Sequence, residues 1–280
     1  MMVKFWGVHG SLPRPGHSTL KFGGNTSCVE VRSENTWIIF DAGSGIRELA
    51  EEILRRHKAS GHPPPPIIGH ILFSHLHWDH VQGFPFFLPA FLKGNTFHLY
   101  GSAELPHTIH QILSGQMSRP NFPVSLDSLP GERHYHNVVP GTVFEIDHIT
   151  VRTKRLNHPC GTMGFRLDCQ GKTLVYATDT EQMNEDDPSL LEFVRQADVL
   201  IFDSMYTPEQ YLGLDDNISR QSWGHSTWVA AVRLAKAAEV KQLVLFHHGN
   251  TDDVVEEMEK RARELFPQTL AAYEGLVLHL

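Results

Sequence analysis

The sequence predicts an α/β protein with sheet at its centre and helices outside. Three observations lead there. Short apolar runs of strand character recur along the chain, several of them followed by helical stretches. Residues 46–57 carry their apolar side chains at helical spacing. Polar residues of ligand type stand just past the ends of the apolar runs, where loops at one edge of a sheet gather. With 280 residues, 41% hydrophobic and 20% charged, the chain can build a substantial core, as one large domain or two small ones.

The elements follow in order. "VKFWGV" (3–8) and "SCVEVRS" (27–33) read as strands, the second with period-two alternation. "TWIIFDAGSG" is a buried strand that ends at Asp41 and runs into a glycine turn. "IRELAEEILRRH" (46–57) is an amphipathic helix with Ile46, Leu49, Ala50, Ile53 and Leu54 on one face. Four prolines at 63–66 form a rigid connection to the buried strand "IIGHILFSH". The middle, about 84–140, is rich in Phe, Pro and Gly and reads as an insertion of loops and short helix that roofs a pocket. Its aromatic and proline cluster at 84–91 reads as core and pocket wall rather than as a base-stacking platform. Strands return at "VFEI", "ITVRTKRL", "TMGFRLDC" and "KTLVYATD". An acidic helical region (181–197), the strand "DVLIFDSMY", a helix over 226–238 and the strand "VKQLVLFHH" come next. The last helix, "TDDVVEEMEKRARELF", has an acidic first turn that suits its dipole.

Composition narrows the function. No run of about 18 apolar residues suggests a membrane span. The N-terminal stretch lacks the pattern of a secretory signal, and the three cysteines (Cys28, Cys160, Cys169) are too few and too scattered for a disulfide framework, so a cytoplasmic setting is expected. The net charge is −8, and no basic segment suggests a grip on a long polyanion.

The chemistry concentrates in "FSHLHWDH", residues 73–80. His75 and His77 are two apart, so in an extended segment both point to one side. Asp79 and His80 follow a turn and can face a second ion. Imidazole nitrogen with carboxylate oxygen suits Zn, Mn or Fe without a thiolate. A histidine-rich loop without metal is the plainer alternative, but the pattern does not stop there: His75, Asp41, Asp179, Asp203 and His247 each follow an apolar run.

"SHLHWDH" matches the HxHxDH signature of the metallo-β-lactamase superfamily, and the chain resembles its phosphodiesterase branch. "GGNTSCVEV" and "IIFDAGSGIREL" resemble that branch's opening strands, "YATDTE" its bridging-aspartate motif, and "GHSTWVAAVRLAKAAEVKQLVLFHH" the closing segment of ribonuclease Z and of related phosphodiesterases on small substrates. The resemblance covers nearly the whole chain and implies one domain over 1–280, a four-layer αββα sandwich holding two divalent metal ions, Zn or Mn. It implies that His75, His77 and His158 bind one ion, that Asp79, His80 and His247 bind the other, and that Asp179 bridges them. His247 and His248 compete for the last place, and the alignment of "LVLFHH" favours His247. His225 in "WGHST" matches the histidine that protonates the leaving oxygen, with Asp203 orienting it; ribonuclease Z often has Glu where this chain has Asp203. Asp79 joins His225 and Asp203 in the expected catalytic set.

Asp41 reads as a turn or supporting residue, and Cys160 as a small buried residue rather than a thiolate ligand. Most of the other histidines (His9, His17, His98, His107, His110, His134, His136) read as surface or packing residues, with His134 and His136 the pair placed to approach a substrate. The expected activity is hydrolysis of a small nucleotide phosphodiester, in the first place a 3′,5′-cyclic nucleotide, by an enzyme that the resemblance implies is a homodimer. The alternatives are a ribonuclease Z-like tRNA 3′ endonuclease and a non-catalytic metal-binding scaffold.

Overall fold

The protein, described by a computed structural model over residues 1–59, 65–103, 107–182 and 187–280, is built on two sheets. Pro63 and Pro64 of the proline run, and 183–186 of the acidic stretch, lie outside the described residues. In chain order the first strands and helices are β1 (Met2–Gly7), β2 (Cys28–Ser33), β3 (Thr36–Phe40), α1 (Ile46–Ala59), β4 (Ile68–Leu72), α2 (Trp78–Val81), β5 (Thr96–Ser102), α3 (Ile109–Gln116) and β6 (Glu132–Val138). Then come β7 (Val143–Ile146), β8 (Ile149–Leu156), β9 (Thr162–Cys169), β10 (Lys172–Ala177), α4 (Pro188–Val194), β11 (Val199–Asp203), α5 (Pro208–Leu212), α6 (Trp228–Ala237), β12 (Leu243–Phe246), α7 (Asp252–Leu265), β13 (Thr269–Ala271) and β14 (Val277–His279).

Among the described residues one sheet runs β14-β1-β2-β3-β4-β5-β6 and the other β13-β12-β11-β10-β9-β8-β7. The two are built alike. Hairpin-linked antiparallel strands, with β14 added at the edge of the first sheet, give way to a parallel half, β3 to β6 in one sheet and β10 to β13 in the other. In the parallel half Phe40 pairs with Leu72, Ala177 with Phe202 and Asp203 with Phe246. Neighbouring strands therefore end level, and the loops leaving them share one edge.

Three apolar layers hold the sandwich together. Between the sheets, Phe40 of β3 stacks on Tyr176 of β10 with centroids 4.6 Å apart and planes 7° from parallel. Outside the first sheet, α1 lays Ile46, Leu49, Ala50 and Ile53 against Ile39, Ile71 and Phe97. Leu54, expected on the same face, is half-buried at its border. Outside the second sheet, α4, α6 and α7 cover Val175, Leu200 and Leu245. Fully burying each such side chain contributes roughly 1.5–3 kcal/mol. The acidic start of α7 also anchors a loop, because the Asp252 carboxylate accepts the backbone N–H groups of Lys21 and Phe22.

The region 84–140 departs from the expectation of loops and short helix. It supplies β5 and β6, two strands of the first sheet, with α3 between them. β6 ("ERHYHNV") is a half-exposed edge strand in which histidines take the place of an apolar face, so it carries no apolar run to find. The rings of the 84–91 cluster divide: Phe84, Phe87 and Phe91 are buried, whereas Phe86 is 56% exposed. The three-residue strands β13 and β14, which close the two sheets, are too short to show a period.

Candidate metal centre

The ligand-type residues meet where the two sheets present their level strand ends. From the first sheet, the loop after β4 brings His75, His77, Asp79 and His80. From the second, the segments after β8, β10 and β12 bring His158, Asp179 and His247. Asp179 and His247, together with Asp41 at the end of β3, have left-handed backbone with φ of 51°, 63° and 57°. Asp and His tolerate this region better than most residues. The strain is of the kind that persists where a surrounding site enforces it.

Two groups result. Ligand atoms of His75, His77 and His158 lie within 4.8 Å of one another, and so do those of Asp79, His80, Asp179 and His247. Asp179 divides its carboxylate between the groups: Oδ2 is 3.6 Å from His75 Nε2, while Oδ1 is 3.3 Å from His80 Nε2 and 3.4 Å from His247 Nε2. Asp79 Oδ2 is 3.1 Å from His247 Nε2 and 3.2 Å from His80 Nε2.

The rings are aimed from behind. His80 Nδ1 donates to Asp41 Oδ2 at 2.8 Å, and Asp41 also accepts from the Ser74 N–H, the Ser74 hydroxyl and the Tyr176 hydroxyl. Asp41 thus orients His80 rather than facing the centre itself. His158 Nδ1 donates to the Gly224 carbonyl at 3.0 Å; a carbonyl can only accept, which fixes the tautomer and leaves Nε2 free for the centre. Two glycines give the rings room. A Cβ on Gly10 would lie 2.6 Å from the His247 ring, and one on Gly224, where φ is +90°, would lie 2.2 Å from His158 Nδ1.

Electrostatics test whether the site suits a cation. Burial by itself would raise the Asp79 and Asp179 carboxyls, but the facing imidazoles outweigh it and hold both well below the usual range. His80 is the mirror case. Burial pulls it down, yet Asp79, Asp179 and Asp41 together push it well above an ordinary histidine. Buried carboxylates converge where only positive charge can balance them. His75 Nε2, buried, has no hydrogen-bond partner, and buried His80 Nε2 faces only the carboxylates of Asp79 and Asp179. A nitrogen and oxygen donor set with an orphaned imidazole nitrogen fits divalent metal ions.

Beside this cluster His225 Nδ1 donates to Asp203 Oδ2 at 2.8 Å. Burial would lower the His225 ring, but Asp203 at its back lifts it to about 9. His225 is therefore protonated at neutral pH. Asp203 also accepts the backbone N–H groups of Thr180 and Met205, so its shorter side chain still reaches the ring.

All the expected residues thus converge. Of the competing pair, His247 points to the carboxylates, while His248 is turned away and donates from Nε2 to the Ala272 carbonyl. Cys160 corrects the expectation of burial: it is exposed, at the corner of a turn closed by the Gly161 N–H on the His158 carbonyl. His134 and His136 stand away from the centre, stacked on His98 across β5 and β6. Sequence reasoning missed the 8–11 loop, whose Ser11 N–H donates to Asp79 Oδ2 at 2.8 Å. It also missed Glu181, a buried carboxylate that accepts the Tyr211 hydroxyl and the N–H groups of Ser222 and Gly224. The signal for Glu181 was present, an acidic residue two places after Asp179 in "TDTE".

Known proteins share the family and the fold. Residues 36–248 match the family described as beta-lactamase superfamily domain. Ribonuclease Z of Bacillus cereus (strain B4264) is 26% identical over 320 aligned positions, covering 96% of each chain. Among solved structures, zinc-bound PqqB from Methylobacterium extorquens superposes with a TM-score of 0.73 at 18% identity over all of both chains. The short form of human tRNase Z superposes at 0.67 and 20% identity, over all of this chain and 99% of that one.

Proposed function

The chain belongs to the beta-lactamase superfamily, and from that premise we propose that it is a binuclear metal-dependent phosphodiesterase acting on a nucleotide diester. The observation that carries the proposal is the divided carboxylate of Asp179, one oxygen toward His75 and the other toward His80 and His247. In this reading His75, His77 and His158 hold one ion, Asp79, His80 and His247 hold the other, and Asp179 serves both. Two divalent ions there, Zn or Mn, would supply a water acidified to near-neutral pH and charge to offset the phosphate oxygens.

The rest is done by the chain. Asp41 and the Gly224 carbonyl hold the rings of His80 and His158 in the ligating tautomer. His225, kept protonated by Asp203 on Nδ1, has Nε2 free to donate a proton to the departing alkoxide.

The relatives favour ribonuclease Z-type cleavage near an RNA 3′ end, since the name is shared by the curated proteins that match most of this chain. A second reading, cleavage of a small nucleotide and in the first place a cyclic one, draws on the net charge of −8 and the lack of a basic segment to hold a long polyanion. A homodimer in the cytoplasm completes the proposal; the free cysteines Cys28, Cys160 and Cys169 suit a reducing compartment.

The deciding experiment compares turnover of metal-quantified protein on bis-p-nitrophenyl phosphate, cyclic AMP, cyclic GMP and a 3′-extended tRNA, with Asp179→Ala as blank. Cleavage of the tRNA with the cyclic nucleotides untouched selects the ribonuclease Z reading. The reverse selects the small-nucleotide reading. Two ions bound with no diester cleaved overturns the phosphodiesterase proposal.

A further inference from the structure

The ligating loop has a second face. His75 and His77 turn to the centre, whereas Leu76 and Trp78, the first residue of α2, line a neighbouring cleft. There Trp78 and Phe86, with Phe122, wall a cleft of about 640 Å³. Trp78 is 74% exposed and Phe86 56%, although large aromatic side chains are ordinarily covered. Phe122 meets Phe86 edge to face, with centroids 5.9 Å apart, and braces it.

The polar groups of the cleft are all carboxamides: Gln82, Gln116 and Asn121. Gln82 Nε2 donates to Thr26 Oγ1 at 3.0 Å and Gln116 Nε2 to the Val81 carbonyl at 3.1 Å, so each amide is held in place by its nitrogen. Among the described residues no Lys, Arg, Asp or Glu lines the cleft. A phosphate or carboxylate finds no cationic partner among them. A flat, neutral heteroaromatic with a hydrogen-bonding edge finds both a stacking face and amide donors and acceptors. Trp78 stands in the chain between His77 and Asp79, so a ring on its indole lies one residue from the metal-binding side chains.

We propose that this cleft is the base subsite of the enzyme: it seats the nucleobase of the diester whose phosphate lies at the His/Asp centre. The proposal rests on the phosphodiesterase reading above and adds to it that the base is recognised, by stacking and by amides, independently of backbone charge. It applies equally to the base of a mononucleotide and to a base at the end of an RNA.

Nucleosides, which carry no phosphate, separate the subsite from the chemistry. Adenosine and uridine are titrated into metal-replete protein while the Trp78 indole N–H and the Gln116 amide are followed by NMR. The expected result is saturable shifts at both, with affinity at least tenfold weaker in Phe86→Ala/Phe122→Ala. In parallel, a nucleoside diester is compared with the matched base-free ribose diester, and the base should raise kcat/KM roughly tenfold or more. Nucleoside binding without cleavage of either diester would remove the phosphodiesterase reading and leave the subsite standing. Unmoved Trp78 and Gln116 signals at millimolar nucleoside, or equal kcat/KM with and without the base, would overturn the subsite. So would burial of Trp78 and Phe86 between two copies of the chain, seen as loss of their solvent exposure on dimerisation. Cyclic nucleotide cleaved with base preference would place a mononucleotide in the cleft, and tRNA cleaved with preference at its 3′ overhang would place an RNA base there.

Discussion

At the scale of single residues, the site separates groups that bind from groups that position. His225 Nδ1 is committed to Asp203, which leaves Nε2 for proton donation. His225→Ala should therefore lower kcat by 10²- to 10⁴-fold while metal content per chain, read by elemental analysis, stays at the wild-type level. Loss of metal together with activity would make His225 a ligand instead. Glu181 acts at one remove. Its carboxylate holds Gly224 N–H at 3.0 Å, and the Gly224 carbonyl holds His158 Nδ1. Glu181→Ala should loosen the 222–225 segment and weaken metal binding about 10- to 100-fold, the usual effect of removing an outer partner. Glu181→Gln, which retains an acceptor oxygen, should restore part of it. Metal titration of both variants checks this, and an unchanged affinity in Glu181→Ala would leave the carboxylate a purely structural brace for Tyr211.

At the scale of elements, the neighbouring strands β4, β5 and β6 carry a ladder of imidazoles. His70 pairs in register with His98 and His98 with His134, and successive rings stack at 4.9 Å. Burial, then the neighbouring His98, pushes His70 down to about 4. An unfolded chain takes up that proton near 6.5. The sign follows: between those values the unfolded state binds more protons at this position, so neutral His70 costs nothing above about pH 6.5, and stability is lost as pH falls from there toward 4. Replacing His98 with Leu should flatten the decline of Tm between pH 7 and pH 5 relative to wild type, and an identical slope would show that the acid sensitivity arises elsewhere. The ladder also shows where the sequence was hard to read. The apolar strands β3, β4, β10, β11 and β12, and the ligand-type residue following each, were legible because an apolar run and a polar stop are both local signals. β6 was not, because its half-buried Tyr135 and His136 lie on opposite faces and leave no apolar run. The partners of Asp41 and Glu181 were not legible for another reason: Tyr176 lies 135 positions from Asp41 and Ser222 lies 41 from Glu181, and only the folded sheets bring them together.

At the scale of the whole molecule, the metal centre is a polar junction between two sheets whose facing sides meet through an apolar layer. The first sheet contributes His75, His77, Asp79 and His80, and the second contributes His158, Asp179 and His247. Without cations the carboxylates of Asp79 and Asp179 are balanced only by protons on the surrounding rings. Divalent ions that bind the folded chain and not the unfolded one stabilise it in proportion to RT ln(1 + [L]/Kd), about 4 kcal/mol at a thousandfold excess over Kd. A chelator should then lower Tm by several degrees. The loss should be local in origin: hydrogen exchange should quicken in the 74–80 loop, around 222–226 and at 247–250, where both sheets lose their shared ligand. α1 and α7 should stay protected, because each is held to its own sheet by apolar contacts that no ion touches. Re-addition of Zn or Mn should restore both Tm and protection, and the ion that restores them at the lower concentration is the one the site prefers. Uniform loss of protection over the whole chain would mean instead that the ions govern global folding rather than the junction between the sheets.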